Sequence, residues 1–287
     1  MTLFELVKQT LDNLYAACRY TYPSNTNEEI TARLSYLSGE YENLSKVGGT
    51  GINYEDPATR FAYVFRYTAA HGDFVYQILK RLRQPRGGAI FKQERVQVAC
   101  IGGGPGSDLI GTLKYLIQHA DEPVRSLTFW QMDKEQAWQD AWAGVHAEIG
   151  ANASFNSYYQ TLDVTNGKSW RNISSFLNSD LFTFSYFISE VMKFNQNGTV
   201  SQFLQDVFAR AKSGAYFLYD DNMSGGFTEY FDDECARAGL VRLVAVERER
   251  WFPSFEEQRA ELQEYVDMFG QNPKVQAYLS CRVYVKL

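Results

Sequence analysis

A glycine-rich segment, Ile101-Gly-Gly-Gly-Pro-Gly-Ser-Asp108, follows an apolar, β-branched run and precedes a helical pattern. Gly102, Gly104 and Gly106 lie at alternate positions. Glycine lets the backbone approach a ligand closely, and the helix behind it offers free N–H groups. The spacing fits the dinucleotide fingerprint G-x-G-x-x-G poorly. A carboxylate at Asp108 would repel a pyrophosphate but tolerate an ammonium or sulfonium group.

Two further acids follow the next two predicted strands. Asp133 comes after Gln131-Met132, 27 positions beyond Gly106, and a carboxylate there can accept both hydroxyls of a ribose. Asp163 comes 30 positions later, within Gln160-Thr-Leu-Asp-Val164. It is placed to accept the amino group of an adenine, with Leu162 and Val164 against the ring. In the alternative interpretation, Asp133 caps the helix from Lys134 onward and Asp163 is an ordinary turn residue.

Strands and helices alternate from residue 90 onward, which is typical of βαβ units and a doubly wound, largely parallel α/β sheet. The strands are predicted at 95–101, 127–132, 155–159, 181–188, 215–219, 241–246 and 275–285, the last two as a terminal hairpin. The helices between them are predicted at 108–118, 134–149, 169–177 and 200–211. Residues 1–90 form a predicted helical region of their own, with loops at 47–57 and 84–88 and a helix cap at Asn27.

The glycine segment, the two strand-end acids, the fourth strand and the closing hairpin occur in the order found in class I S-adenosylmethionine-dependent methyltransferases. Residues 91–287 resemble that family, which implies a Rossmann-like, seven-stranded sheet with its last strand antiparallel. The resemblance also implies S-adenosylmethionine as cofactor. Gly102, Gly104 and Gly106 would then hold the methionine moiety, Asp133 the ribose and Asp163 the adenine. We also place Asp108, Val164 and Ser189 among the cofactor-binding residues.

The methyl acceptor is expected at the carboxyl ends of the fourth and fifth strands. Glu190 is a candidate general base or a binder of an amine, unless it satisfies the next helix N-terminus. Asp220 and Asn222 hold the substrate or form an Asx turn. Residues 189–192 lack the Pro-Pro and Pro-Cys motifs of nucleobase methyltransferases, and Ser-Glu-Val-Met only slightly resembles the protein arginine methyltransferases.

A long helix is predicted from Pro57 to about Leu82, with Asp56 as its cap. Tyr63, Tyr67, His71 and Phe74 recur on one side of it, so that this helix can act as a lid over the cofactor or stack on a flat substrate. The alternative is a core-facing stripe. His71 is a second candidate base, or a hydrogen-bonded structural histidine.

Charge and composition limit the partners. The net charge is −6, which argues against a broad nucleic-acid-coating surface. Six basic residues nevertheless lie within positions 80–95, where they meet RNA phosphates beside the site or form a solvated helix end. These residues are Lys80, Arg81, Arg83, Arg86, Lys92 and Arg95. No run is long and apolar enough to span a membrane, and the first residues do not resemble a secretory signal, so we expect a cytoplasmic protein.

The four cysteines are widely spaced and form no CxxC, so we predict reduced, mostly buried thiols and no metal site. Three functions remain open. The first is methyl transfer to N or O of a small molecule or a protein side chain. The second is RNA methylation that uses the basic residues at 80–95. The third is a non-catalytic S-adenosylmethionine sensor or interaction protein. The sequence leaves the oligomeric state open.

Overall fold

The computed structural model of this chain describes residues 2–43, 52–149, 155–195, 197–223, 226–254 and 260–287. Seven strands form one sheet in the order β3-β2-β1-β4-β5-β7-β6. Strands β1 to β5 are parallel to one another, and β7 runs antiparallel to both β5 and β6. This arrangement confirms the predicted sheet and its closing hairpin. The strands are β1 Arg95–Ile101, β2 Ser126–Asp133, β3 Phe155–Thr161, β4 Leu181–Ser185, β5 Tyr216–Asn222, β6 Val241–Trp251 and β7 Ala277–Val285.

Helices cover both faces of the sheet. They are α1 Leu3–Thr21, α2 Thr26–Asn43, α3 Pro57–Tyr63, α4 Ala69–Arg86, α5 Ser107–Gln118, α6 Trp138–Ile149, α7 Gly167–Trp170, α8 Ile188–Val191, α9 Thr199–Arg210, α10 Phe227–Arg237 and α11 Gln263–Phe269. Alternate residues of β1 enter two different cores. Val98 and Cys100 pack with residues of α1 to α6, whereas Ala99 and Ile101 pack with residues of α7 to α10. The period of two along a strand therefore builds a three-layered molecule.

The predicted long helix is α3 and α4 joined through the π-helical turn Val64–Thr68. The Asp56 carboxylate accepts the backbone N–H of Ala58 at 2.9 Å, which confirms the predicted cap. The helix extends past Leu82 to Arg86, with Pro85 in its last turn, and Gly87 ends it at a φ of +66°. Helix α4 crosses α5 so closely that a Cβ on Gly111 would lie 2.1 Å from the Gly72 carbonyl oxygen. The helical region therefore packs directly on the sheet's own helices.

Several predicted boundaries were wrong for local reasons. Helix α6 begins at Trp138, because residues 134–137 instead form a turn beside Asp133, which therefore does not cap this helix. Strand β4 ends at Ser185, since Tyr186 takes a left-handed φ of 53° and turns the chain away from the sheet. The predicted helix at 169–177 is α7 followed by the 3₁₀ turn Ser175–Asn178.

Two other differences concern helix starts and a missed helix. Helix α2 begins at Thr26, one residue before the predicted cap Asn27. Helix α10 was not predicted, although Phe227, Phe231 and Cys235 recur on its buried side. The predicted loop at 47–57 lies partly outside the described residues, while residues 52–56 form coil and turn. Within the described ranges, no helix has the length and apolarity needed to cross a membrane.

Candidate active site

A cleft opens at the carboxyl ends of β1 to β4, the edge of a doubly wound sheet where ligands bind. Residues from four strand ends and from the segment before α3 contribute to it. Its lining consists of Ile52, Tyr54, Tyr63, Gly102, Asp133, Lys134, Leu162, Asp163, Val164, Thr165, Ser185, Tyr186, Phe187, Glu190, Val191, Lys193 and Phe194. Gly102, both strand-end acids, Tyr63 and Glu190 were predicted to belong to one site, and all of them line this cleft, whereas the predicted Gly104 and Gly106 do not.

The glycine loop is shaped by backbone angles that other residues rarely adopt. Gly102, Gly104 and Gly106 have φ of +67°, +47° and +95°. The Gly103 N–H donates to the Met132 carbonyl oxygen at 3.0 Å, so the loop is tied to the end of β2. A Cβ on Gly102 would lie 2.3 Å from the Phe187 ring. Only glycine fits at position 102, where the loop packs against Phe187, and the backbone of Gly102 lines the cleft.

Asp133 stands at the end of β2 against the loop. Its Oδ2 accepts the N–H of Gly104 and its Oδ1 that of Glu135, each at 3.0 Å. Burial raises the pKa of Asp133 to about 6, with these N–H groups opposing the shift. The carboxylate is therefore ionised at neutral pH. Each oxygen retains a second lone pair, so a vicinal diol in the cleft can donate to both.

Residues 162–164 form the far wall of the cleft, beyond the end of β3. Leu162 and Val164 are buried, and Asp163 between them is half-buried. The Asp163 Oδ1 accepts the backbone N–H of Thr165 at 2.9 Å and its hydroxyl at 2.6 Å. Two apolar side chains flanking an acid can pack on a flat ring and accept an exocyclic amino group. Asp163 does form the local turn bonds of the alternative interpretation, but it also lines the cleft.

The opposite wall is aromatic and comes from the helical region. The Tyr54 hydroxyl donates to Oε1 of Glu190 at 3.3 Å. The Tyr54 ring lies 5.6 Å from that of Tyr63 and 5.1 Å from that of Trp138. Sequence reasoning missed Tyr54 and Trp138. An aromatic residue two positions before the Asp56 cap was the available signal, but nothing in the sequence indicated that it contacts Glu190.

Asp108 and Ser189 do not line this cleft. Asp108 is 3% exposed and accepts a hydrogen bond from the Thr183 hydroxyl, on the side of α5 that faces β4. Burial raises the pKa of Asp108 to about 7. The fully buried Ser189 donates its N–H to Oδ2 of Asp221 at 2.8 Å. Both residues lie beneath the site and support it, which differs from the predicted contact with the cofactor.

A second cavity of about 210 Å³ adjoins the cleft, and Tyr186 lines both of them. Its lining consists of Ser38, Arg66, Tyr67, His71, Tyr186, Asn222 and Lys274. The predicted substrate residues therefore separate: Tyr63 lies in the first cleft, whereas Tyr67 and Asn222 lie in the second. Phe74, the last member of the predicted stripe, is fully buried and packs against Trp251.

Asp220 is fully buried near the carboxyl end of β5 and does not line the second cavity. Its Oδ2 accepts the Ser185 hydroxyl at 3.0 Å, while its Oδ1 has no partner among the described residues. Burial, together with the negative charge of Asp108, holds the pKa of Asp220 well above its usual range. A direct contact with substrate is therefore not what the structure shows for Asp220.

His71 is buried, and its ring stacks on that of Tyr186 with centroids 3.7 Å apart. Its Nε2 has no hydrogen-bond partner in the described part of the chain. Burial, assisted by the positive charge of Lys274, holds the pKa of His71 well below its usual range. His71 is consequently a neutral imidazole. The alternative interpretation required a hydrogen-bonded histidine, whereas Nε2 makes no hydrogen bond to the described residues.

Three of the six basic residues at 80–95 lie at the opposite ends of the strands. Arg86, Lys92 and Arg95 line a separate cavity at the amino ends of β1 and β5. Strand β1 places Arg95 about 20 Å from Ile101 and the glycine loop. Arg81 pairs with Glu249 at 2.9 Å. The expectation that the basic residues lie beside the site is therefore wrong for Arg86, Lys92 and Arg95, because they lie at the amino ends of the strands and the site lies at the carboxyl ends.

The four cysteines are buried and free, as predicted. Over the residues that the structure describes, no group of three or more His, Cys, Asp or Glu side chains could hold a metal ion.

No protein-family model and no curated protein matches the chain. Solved structures similar to it include an O-methyltransferase family protein from Burkholderia thailandensis, at 12% identity over 90% of this chain and 71% of that one, with a TM-score of 0.47. A TehB-like SAM-dependent methyltransferase from Corynebacterium glutamicum is similar at 16% identity over 76% of this chain and 99% of that one, with a TM-score of 0.40.

An arsenic(III) S-adenosylmethionine methyltransferase from Chlamydomonas reinhardtii is 14% identical over 67% of this chain and 64% of that one, with a TM-score of 0.39. Similarity at this level carries no argument about activity. The strand order and the single antiparallel strand are by themselves those of the class I methyltransferase fold, which confirms the predicted fold class.

Proposed function

We propose that this protein is an S-adenosylmethionine-dependent methyltransferase that acts on N or O of a small molecule or a protein side chain. The observation that carries the proposal is the shared cleft. An ionised Asp133, the backbone of Gly102 and the wall formed by residues 162–164 all line it. The Asp133 carboxylate can accept the two hydroxyls of a ribose. The apolar wall, with Asp163 between Leu162 and Val164, can hold an adenine ring and its amino group. The position matches the ligand edge of this sheet type.

The residues of the cleft would hold the cofactor as follows. Asp133 accepts the ribose hydroxyls, Asp163 accepts the adenine amino group, and Leu162 and Val164 pack on the ring. The Gly102 backbone faces the methionine portion. Glu190 lies in this same cleft beside Tyr54, so we assign its carboxylate to the cofactor's positive charge rather than to proton abstraction.

When bound, S-adenosylmethionine supplies an electrophilic methyl group. The chain's own task is to orient a nucleophile beside that methyl and to dispose of a proton. Tyr186 forms the boundary between the cleft and the second cavity, so the acceptor is expected in the second cavity. His71 is the neutral base nearest to it, at Nε2, although its lowered pKa makes it a weak one.

The test is calorimetric binding of S-adenosylmethionine to Asp133→Ala. Removing the carboxylate eliminates two charge-assisted hydrogen bonds, so the affinity should fall by about tenfold or more. Asp233→Ala is the matched control, because Asp233 is an exposed acid on α10, on the outer surface. Equal affinities for wild type and Asp133→Ala would contradict the proposed cofactor site.

The other two functions receive less support. RNA methylation relied on the basic residues at 80–95, of which Arg86, Lys92 and Arg95 lie at the opposite strand ends. A non-catalytic sensor requires only the first cleft, whereas this chain has a second cavity adjoining it. We also propose a cytoplasmic location, because four unpaired thiols are typical of a reducing compartment.

A further inference from the structure

The second cavity indicates which chemical class of acceptor this protein takes. We propose that the cavity binds a small carboxylic acid, whose carboxylate is held by Lys274 and Arg66 next to Tyr186. The inference rests on the proposed function, since it names the substrate class of the same site. It concerns residues that no sequence motif singled out: Arg66 lies in the π-helical turn, and Lys274 lies between α11 and β7.

The first observation is a cation without a counterion at the cavity wall. In the described part of the chain, no carboxylate lies within 4.0 Å of the Lys274 Nζ. The Nζ lies instead 5.0 Å from the centroid of the Tyr186 ring and 5.5 Å from that of the Tyr67 ring. An ammonium group in such a place is electrostatically incomplete, and an anion entering the cavity would complete it.

Arg66 is built into the same wall. The Lys274 N–H donates to the Arg66 carbonyl oxygen at 2.7 Å, which fixes the two backbones to each other. One guanidinium nitrogen of Arg66 donates to the Asn272 carbonyl oxygen at 2.8 Å. A guanidinium has five N–H donors, so others remain for a ligand. Two cations from separate segments thus converge on one small cavity.

The nearest acids do not cancel this charge at the cavity surface. Asp220 and Asp221 are both fully buried and do not line the cavity. Below the cavity, Oδ2 of Asp220 accepts the Ser185 hydroxyl and Oδ2 of Asp221 accepts the Ser189 N–H. Burial holds the pKa of Asp220 well above its usual range and raises that of Asp221 to about 6, so Asp221 is ionised at neutral pH and its charge acts on Lys274 from below the cavity. The charged side chains that line the cavity itself are nevertheless Lys274 and Arg66, which favours an acid over the amine considered from the sequence.

Size and position agree with a small acceptor. The cavity measures about 210 Å³, and its walls include the rings of Tyr67, His71 and Tyr186. Tyr186 is also the residue shared with the cofactor cleft, and its left-handed φ of 53° is held by a 2.7 Å hydrogen bond from its N–H to the Asp220 carbonyl. Strained backbone that persists at such a boundary is a mark of a functional position.

The carboxylate is the group by which the acceptor is bound, and a different group of the acceptor is the nucleophile. A hydroxyl or amine elsewhere on the acid bonds to the methyl carbon while the carbon–sulfur bond breaks, and the bonding pair remains on sulfur. The proton that the nucleophile loses passes to the neutral Nε2 of His71 and from there to water in the cavity. The charge and the atoms therefore balance without an additional reactant.

The experiment compares acids with their neutral amides on the full-length protein saturated with S-adenosylhomocysteine. Benzoate, phenylacetate and lactate are titrated against benzamide, phenylacetamide and lactamide, with benzylamine as the cationic probe. At least one acid should bind about tenfold more tightly than its amide. Lys274→Gln and Arg66→Gln should each abolish that preference. Lys80→Gln, an exposed lysine on α4, should retain it.

S-adenosylmethionine affinity and melting temperature are measured on the same samples. Loss of acid binding in Lys274→Gln with unchanged cofactor affinity and melting temperature supports the inference. Acids that bind no better than amides, or benzylamine as the tightest probe, would overturn it while leaving the cofactor site intact. Failure to bind S-adenosylmethionine in wild type would instead overturn the proposed function, whichever acid binds.

Discussion

The imidazole ring of His71 lies face to face with the phenol ring of Tyr186, with centroids 3.7 Å apart and planes within 10°. One ring belongs to α4 and the other to the turn after β4. The contact therefore fastens the helical region to the sheet at the boundary between the cofactor cleft and the second cavity. Helix α4 therefore contributes a wall of the second cavity through His71.

The glycine loop should tolerate no side chain at 102. Gly102→Ala places a Cβ within 2.3 Å of Phe187 and also pays about 1 kcal/mol for its positive φ. Gly198→Ala is the matched control, since its φ of +69° is alike but nothing lies within 4 Å. Both variants should lose stability in urea unfolding, but only Gly102→Ala should also lose cofactor affinity by calorimetry. Equal cofactor affinities for wild type and Gly102→Ala would show that the loop at Gly102 does not contact the ligand.

Asp108 should destabilise the protein when it ionises. Its pKa is raised from 3.8 to about 7 by burial, so its favourable contribution to folding is complete below 3.8 and is lost as the pH rises through about 7. Asn at this position still accepts the Thr183 hydroxyl but does not ionise. Asp108→Asn should be more stable than wild type by about 1–2 kcal/mol at mildly alkaline pH.

That advantage should shrink as the pH approaches 3.8, where both chains carry a neutral group at 108. Urea unfolding of the two proteins across this range gives the difference directly. An advantage that stays constant with pH would mean that Asp108 does not titrate in the folded state.

Lys114 and Asp73 form a buried ion pair between α5 and α4, and Asp73 also accepts the Ser254 N–H at 2.7 Å. Removing one member leaves the other charge buried, so Asp73→Ala should cost about 3–5 kcal/mol of unfolding free energy. Asp206→Ala, which breaks the exposed pair with Arg210, should cost about 0–1 kcal/mol. Similar losses in the two variants, measured by urea unfolding, would show that α4 is held only loosely against the sheet's helices.

The sequence predicted those parts of the site that lie at strand ends. Asp133 is the last residue of β2 and Asp163 lies two residues past β3, and parallel strands bring their carboxyl ends to one edge. Asp108 was misplaced because the first turn of α5 presents residues to both the loop and β4, and spacing alone does not say which. Burial against Thr183 decided it.

The two cations of the second cavity could not be predicted from the sequence, although Tyr67, His71 and Asn222 of its lining were. Lys274 and Tyr186 are 88 positions apart and meet only because β7 inserts between β5 and β6. Lys274 follows a proline in an irregular segment, where periodicity offers no guide to neighbours. Arg66 lies in a π-helical turn, which shifts the helical register by one residue. The three- and four-residue periodicity of an α-helix therefore does not predict which side of the helix Arg66 occupies.

The most direct measurement is a crystal structure with S-adenosylhomocysteine bound. We predict one bound molecule, in which both ribose hydroxyls donate to the Asp133 carboxylate and the adenine packs on Leu162 and Val164. The sulfur should then face Tyr186 and the second cavity. A ligand elsewhere, or a cleft that instead takes up a diphosphate on the glycine loop, would contradict it.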